Sequence, residues 1–231
     1  MMDEIITSNQ GRKTKLSANE IDYNEEYGNY PSNQSDIIEY IRSNMKVDMK
    51  KYDSLKNHIQ NLTWEKIFIE IYIIPKPSPR PRYSSATDKF YVKGAAYNKK
   101  SVMSLLDEYN IIYTTTKALI RTYQPTPKSM KPHEILLAEE GLITASTNPD
   151  FDNLAKTYTD MLQDNLLLND NIITMGTVEK YYSLKPRVEI ELEYATTFDC
   201  DYNRKRTLNS KKFVSLVSEE TYENISKLRI G

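Results

Sequence analysis

The sequence predicts an α+β domain, a mixed β-sheet of roughly four or five strands flanked by helices, with flexible N-terminal and C-terminal extensions. Three observations lead there. Ile67-Phe68-Ile69-Glu70-Ile71-Tyr72-Ile73-Ile74 is a β-branched and aromatic run too short for a typical buried helix. Val188, Ile190, Leu192 and Tyr194 alternate with Glu189, Glu191 and Glu193, the period of a half-buried strand. Between these runs, Leu154, Tyr158, Met161 and Leu162 recur at helical spacing.

Residues 1–35 are rich in Asn, Ser, Glu and Tyr with little apolar periodicity, and read as a flexible tail. A helical extension is expected over 36–62. There Ser35-Asp36 opens a helix with Ile37, Ile38, Tyr40, Ile41 and Met45 on its apolar side, and Asp53 to Leu62 adds another turn or two. The main domain, 63–195, begins with the Ile67–Ile74 strand, placed at the centre of the sheet. Pro75, Pro77, Pro79 and Pro81 then exclude a helix or strand interior, leaving an extended loop that presents Lys76, Arg80 and Arg82.

Asn98 to Tyr109 reads as a helix with Val102, Leu105 and Leu106 on one side. Lys99 and Lys100 at its start oppose the helix dipole, a hint of a phosphate partner. Lys117–Tyr123 is a second strand, Pro132–Glu140 a short helix ended by Gly141, and Leu142–Ala145 an extended link. A helix starts near Pro149 or Asp152. Ile172–Tyr182 and Arg187–Tyr194 are read as an antiparallel hairpin across Ser183-Leu184-Lys185-Pro186. The C-terminal extension, 196–231, holds helical stretches at Lys211–Leu216 and Glu219–Leu228.

Composition excludes several chemistries. Cys200 is the sole cysteine of 231 residues, so there is neither an internal disulfide nor a cysteine-based zinc site. His58 and His133 lie outside any metal-ligand spacing and are expected in polar surface roles. No apolar run is long enough to span a bilayer, and Met1-Met2-Asp3-Glu4 lacks the basic and apolar regions of a signal peptide, so no membrane role and a cytoplasmic location are expected. The net charge of −1 hides a division: residues 76–131 hold eleven Lys and Arg against three Asp and Glu, whereas 132–195 hold four against twelve. A nucleic-acid enzyme uses both signs, cations for phosphates and carboxylates for a metal. Interleaving of the two halves as ordinary surface charge is the competing reading.

The carboxylates concentrate in Pro149-Asp150-Phe151-Asp152-Asn153-Leu154-Ala155-Lys156, followed by Asp170 in Leu168-Asn169-Asp170-Asn171. Acidic residues suit the positive end of a helix, and Asp152, Lys156 and Asp160 share one side of it while the apolar residues pack on the other. Asp150, Asp152 and Asp170 supply the oxygen ligands that hard divalent ions take, and Lys156 can steady a scissile phosphate. From the local pattern alone, an Asp-x-Asp helix cap with a solvated Asp–Lys pair explains the same residues. Asp-x-Asp also serves glycosyltransferases that hold a nucleotide-sugar through a metal.

This run resembles the signature of the RusA family of Holliday junction resolvases: a Pro-Asp-x-Asp-Asn-x-x-Lys run, then a helix with Asp-Ala-Leu, here Asp160-Met161-Leu162, then Asp-Asp, here Asn169-Asp170. Pro75 to Arg82 leading to Lys89-Phe90-Tyr91-Val92, and Pro125-Thr126-Pro127-Lys128-Ser129-Met130, stand in the family's order over about residues 65 to 195. The resemblance implies a RusA-like fold and a structure-selective endonuclease. Such an enzyme resolves four-way DNA junctions by paired, symmetric, Mg²⁺-dependent incisions, with Mn²⁺ as a substitute, and acts as a homodimer in recombination and repair. It assigns catalysis to Asp150, Asp152, Lys156 and Asp170, the three aspartates being the metal ligands. The cations read as DNA contacts are Lys76, Arg80, Arg82, Lys93, Lys99, Lys100, Lys128 and Lys180. A non-catalytic branched-DNA-binding protein on the same fold is the alternative, with Asn169 in place of the usual first aspartate as its sign. The Asn-, Lys-, Ile- and Tyr-rich composition suits an AT-rich phage or prophage genome.

Overall fold

The computed structural model describes residues 28, 30–77, 82–84, 89–91, 104–106, 108–163 and 165–230, with only the backbone at 82–84 and 89–91. The readings placed on residues 1–27, on Arg80, Lys93, Lys99 and Lys100, on the Arg82 side chain and on most of the 98–109 helix lie outside these residues. The chain divides into two units, Met1–Asp53 and Ser54–Gly231.

In the first unit, α1 (Gln34–Asn44) starts where Asn33 caps it, its side chain accepting from the Asp36 N–H at 2.9 Å. α1 buries none of its residues. α2 (Met49–Gln60) begins before the expected Asp53 because Asp48 Oδ1 accepts from the Lys51 N–H at 3.2 Å and caps an earlier turn.

The second unit is built on a mixed sheet, as the sequence predicts. Its strands are β1 (Trp64–Ile71), β4 (Thr116–Pro125), β5 (Ile173–Ser183) and β6 (Arg187–Ala195), in the spatial order β1-β6-β4-β5. Between β1 and β4 in sequence, β2 (Arg82–Ser84) and β3 (Lys89–Tyr91) form a separate antiparallel pair. β6 runs antiparallel to both β1 and β4, and β5 runs parallel to β4.

Two expectations are corrected here. The Ile67–Ile74 run forms an edge strand, not a central one, and pairing stops at Ile71. Ile67, Ile69 and Ile71 are buried in the core and Ile73 packs against it part-buried. Phe68, Tyr72 and Ile74 are exposed, so a run that is apolar but for Glu70 is a strand buried on one face. β5 and β6 are not a hairpin, since β4 lies between them. Strands two places apart in a sheet are separated by roughly 10 Å, which residues 184–186 can span. Glu139, on α3 (Pro132–Glu139), anchors that link by accepting from the Leu184 N–H at 2.7 Å and from the Ser183 hydroxyl at 3.2 Å.

The core lies between one face of the sheet and α4 (Phe151–Leu162). Val188, Ile190 and Leu192 from β6 meet Leu154, Tyr158, Met161 and Leu162 from α4, all but inaccessible to solvent. Each such aliphatic side chain contributes roughly 1.5–3 kcal/mol by leaving water. The other sheet face carries ion pairs: Lys66–Glu191 at 3.4 Å, Lys117–Glu193 at 3.3 Å, Arg121–Glu179 at 3.0 Å and Arg187–Glu189 at 2.7 Å. The three β6 glutamates, read as a solvated face, are therefore partnered. Lys117 and Arg121 of the basic half neutralise acids of the other half, as the interleaving reading has it.

The C-terminal stretch packs into the same unit through α5 (Asp201–Leu208), α6 (Lys211–Leu216) and α7 (Glu219–Lys227). Phe213 and Ile225 close a second cluster with Leu168 and Phe198. α5 escapes sequence reading because its buried residue is Arg204 rather than an apolar one. Its guanidinium donates to the carbonyls of Ile225 at 3.2 Å and Ser226 at 2.9 Å, and to Asp201 at 2.6 Å. His58, expected at the surface, is half-buried with its Nε2 at 2.8 Å from the Phe198 carbonyl.

Candidate active site

The acidic turn is positioned from both sides. Upstream, Gly141 ends α3 with φ +76, a left-handed value that suits glycine and turns the chain back. The next residues then lie along β5. Thr144 bridges to Tyr181, the Ala145 N–H donates to the Lys180 carbonyl at 3.0 Å, and Lys180 Nζ donates to the Thr147 carbonyl at 2.5 Å. The Thr147 and Tyr182 hydroxyls are hydrogen-bonded at 3.0 Å. This strap leads into the cis Asn148–Pro149 peptide and Asp150, which is the N-cap residue of α4 and accepts through its carbonyl from the Leu154 N–H at 3.1 Å.

α4 separates its faces as its spacing predicts. Leu154, Thr157, Tyr158, Met161 and Leu162 are buried, whereas Asp152, Lys156 and Asp160 are exposed. Tyr158 lies fully buried on the packed side of the helix. Its hydroxyl is buried without a well-formed hydrogen bond among the described residues, and burial pushes its pKa up to about 12, opposed only by the nearby Lys76 backbone amide. Ile73, at the start of the loop that carries exposed Lys76, packs against the same core cluster as Tyr158.

Asp170 is reached from the other end of α4. The Ile112 N–H donates to Leu166 O at 2.7 Å and the Leu168 N–H to Ile112 O at 2.8 Å, so the chain after α4 is clamped before the 3₁₀ turn Asp170–Ile172. Asn169 caps that turn, its side-chain oxygen accepting from the Asn171 N–H at 3.4 Å, and Asp170 is exposed at the first position. An aspartate at 169 would cap equally well, so asparagine keeps the local structure and omits a charge.

Asp150, Asp152, Lys156 and Asp170 are thus all solvent-facing and sit at the two ends of segments fixed by backbone hydrogen bonds. Their oxygen donors are of the type Mg²⁺ takes. Among the described residues, however, no three or more His, Cys, Asp or Glu side chains converge in a geometry that would enclose a metal ion.

Of the cations read as DNA contacts, Lys76 and Lys128 are exposed. Lys180 is half-buried and its ammonium is engaged with the Thr147 carbonyl, so it positions the chain that leads to Asp150. Sequence reading missed Thr147 and Tyr182 as supports of this site. Their only sequence signal is proximity to the motif, because the strap depends on antiparallel alignment with a strand farther along the chain.

An α+β sheet carrying a lysine and carboxylates on an exposed helix start, with a basic loop that leaves the same core after Ile73, fits the class of DNA-cleaving enzymes. The family model for Endodeoxyribonuclease RusA matches residues 73–193. The chain is also 30% identical over 128 residues to the uncharacterized protein YqaN of Bacillus subtilis (strain 168), a match covering 52% of this chain and 90% of that protein. The chain belongs to the RusA endodeoxyribonuclease family, a family of Holliday junction endonucleases that act on branched DNA.

Proposed function

We propose that the protein resolves four-way DNA junctions by Mg²⁺-dependent hydrolysis of phosphodiesters, in paired symmetric incisions made by a homodimer during recombination and repair. The observation that carries this reading is the exposed Asp152–Lys156 face of α4, inside the family-matched segment that also holds the Lys76 loop. Asp150, Asp152 and Asp170 hold the Mg²⁺, or Mn²⁺ in its place. Bound there, the ion supplies a more acidic water and neutralises the phosphate. Lys156 faces the charge that builds on the scissile group. Lys76, Arg80, Arg82, Lys93, Lys99, Lys100 and Lys128 supply phosphate contacts that set affinity and register without reading sequence. A two-fold dimer would present matching sites to the two strands of a symmetric junction.

The lack of a convergent three-carboxylate cluster among the described residues favours one other reading, a protein that binds branched DNA without cutting it. The deciding experiment incubates the protein with a mobile four-way junction and a matched linear duplex in Mg²⁺, in Mn²⁺ and with chelator, beside Asp152→Asn. The expected result is paired nicks in the junction alone, dependent on metal. The variant should lose them, by at least about a thousandfold, while its junction affinity stays within a few-fold of the parent. Junction binding without cuts by the parent protein would establish the non-catalytic reading.

A further inference from the structure

The aspartates proposed for catalysis are held by different parts of the fold. Asp150 and Asp152 stand at the start of α4, whose apolar side is buried in the main core. Asp170 stands on a turn with little structure of its own. The Ile172 N–H reaches the Asn169 carbonyl only at 3.4 Å, and the Asn171 N–H reaches the Asn169 side chain at the same length, beyond the usual range of such bonds. The place of this turn is therefore set by the residues that flank it. After it, Ile172 and Ile173 pack against the main core. Before it, Leu168 is buried in the second cluster, with Phe198, Phe213 and Ile225.

That second cluster is built mainly from the C-terminal stretch, which follows the family-matched segment ending at residue 193. Phe213 of α6 is wholly buried, with its ring 75° to that of Tyr113 and 5.2 Å from it, and Phe198 stacks on the same tyrosine at 5.7 Å. Tyr113 and Ile111 pack on this cluster. Ile112, between them, belongs to the main core and exchanges backbone hydrogen bonds with Leu166 and Leu168. Leu166 and Leu167 are buried in the main core as well. The chain leading to Asp170 thus runs along the seam between the two clusters.

We infer that the C-terminal helices brace the active site, with Phe213 and Leu168 as positioning residues that hold the Asp170 turn in place relative to α4. The inference rests on the assignment of Asp170 to catalysis, and brings into the reaction a part of the chain that supplies none of its reacting groups. Small misplacements caused by substitutions far from the chemistry are costly to rate. Because α4 packs independently on the main core, losing the brace should displace Asp170 and leave Asp152 where it is.

The test compares the full parent chain with three variants: Phe213→Ala, which empties the centre of the cluster, Phe213→Leu, which keeps most of it filled, and Leu168→Ala, on the side of the turn. Each is assayed well below its own melting temperature. Single-turnover cutting of a four-way junction in Mg²⁺, junction affinity in chelator, and amide hydrogen exchange are measured. Both alanine variants should cut about ten- to a hundredfold more slowly, with affinity close to the parent's, and Phe213→Leu should recover most of the rate. Exchange should quicken over residues 166–173 and stay unchanged over 154–162 in α4. A parental cutting rate in both alanine variants overturns the inference and leaves the junction-cutting function intact. Exchange quickened in α4 as much as in the turn also overturns it, because the lost packing then acts on the whole fold. If the parent cuts nothing, the functional reading fails and exchange alone decides the brace: quickening confined to the turn supports it, and no change overturns it. Should Phe213→Ala fail to fold, Leu168→Ala decides by the same measurements.

Discussion

α4 and α5 each carry an acid and a base about one turn apart and use them in opposite ways. On α5, Asp201 lies between Arg204 and Lys205, and Arg204 is buried and extends to two carbonyls at the end of α7. On α4, Asp152 and Lys156 stand in solvent with no ion pair among the described residues, and the helix is held entirely by its apolar side. The contrast separates charges consumed in folding from charges left available to a ligand. Polar residues that hold the fold are recognised by their protein partners, and those kept for chemistry by how little the fold needs them.

This contrast can be broken or sharpened experimentally. The largest expected effect is on activity: Asp170→Asn should lower junction cutting by at least about a thousandfold, or roughly 4 kcal/mol of transition-state stabilisation, with no loss of thermal stability. A drop in melting temperature comparable to that of an Arg204 variant would show that Asp170 is structural instead. Arg204→Ala should do the reverse, costing about 2–3 kcal/mol by deleting hydrogen bonds from a charged group and orphaning buried carbonyls. Denaturant unfolding measures that cost, and a change below about 0.5 kcal/mol would place Arg204 with ordinary surface residues.

Tyr158→Phe removes a buried hydroxyl that has no well-formed partner, so it should be neutral or stabilising by up to about 1 kcal/mol. Because burial raises this phenol's pKa to about 12, its neutral form favours the fold fully below the ordinary value of 10.0, and that contribution is lost as pH rises from there towards 12. The phenylalanine variant should accordingly show a shallower alkaline decline in melting temperature. The smallest effect lies in acid. Hydrogen bonds from Lys205 and Arg204 hold the Asp201 carboxyl below its ordinary value of 3.8, so its stabilising contribution is complete above that value and fades as pH falls through the lower folded-state value. Asp201→Asn should flatten this part of the acid limb and leave stability near neutral pH with little pH dependence; an acid limb identical to the parent's would exclude the pairing.

Much of this was legible in the chain before any coordinates. The Asp152–Lys156–Asp160 face, the buried side of α4, the alternation in β6 and the helices α6 and α7 all follow from local periodicity. What the chain concealed is non-local. Nothing near Arg187 says that β4 will insert between β5 and β6, and nothing near Ile67 says that its strand will stand at an edge. Lys180 reads as a phosphate contact from its position, and only the alignment of residues 144–147 along β5 reveals that its ammonium also donates to the Thr147 carbonyl. α5 is hidden for a different reason: a helix docked by a buried guanidinium has no apolar stripe to detect.

The edge position of β1 also decides how the protein should be trimmed. The family match begins at residue 73, just after this strand ends at Ile71, and stops at 193, short of the end of β6. A fragment cut to those limits keeps every aspartate and lysine proposed for catalysis. It nevertheless discards the whole register from Trp64↔Ala195 to Ile71↔Val188, and uncovers Val188, Ile190 and Leu192 along a strand with free backbone donors and acceptors. Such an edge invites pairing between chains, so the fragment should aggregate, whereas one beginning ahead of α2 and running through α7 keeps β6 paired with β1.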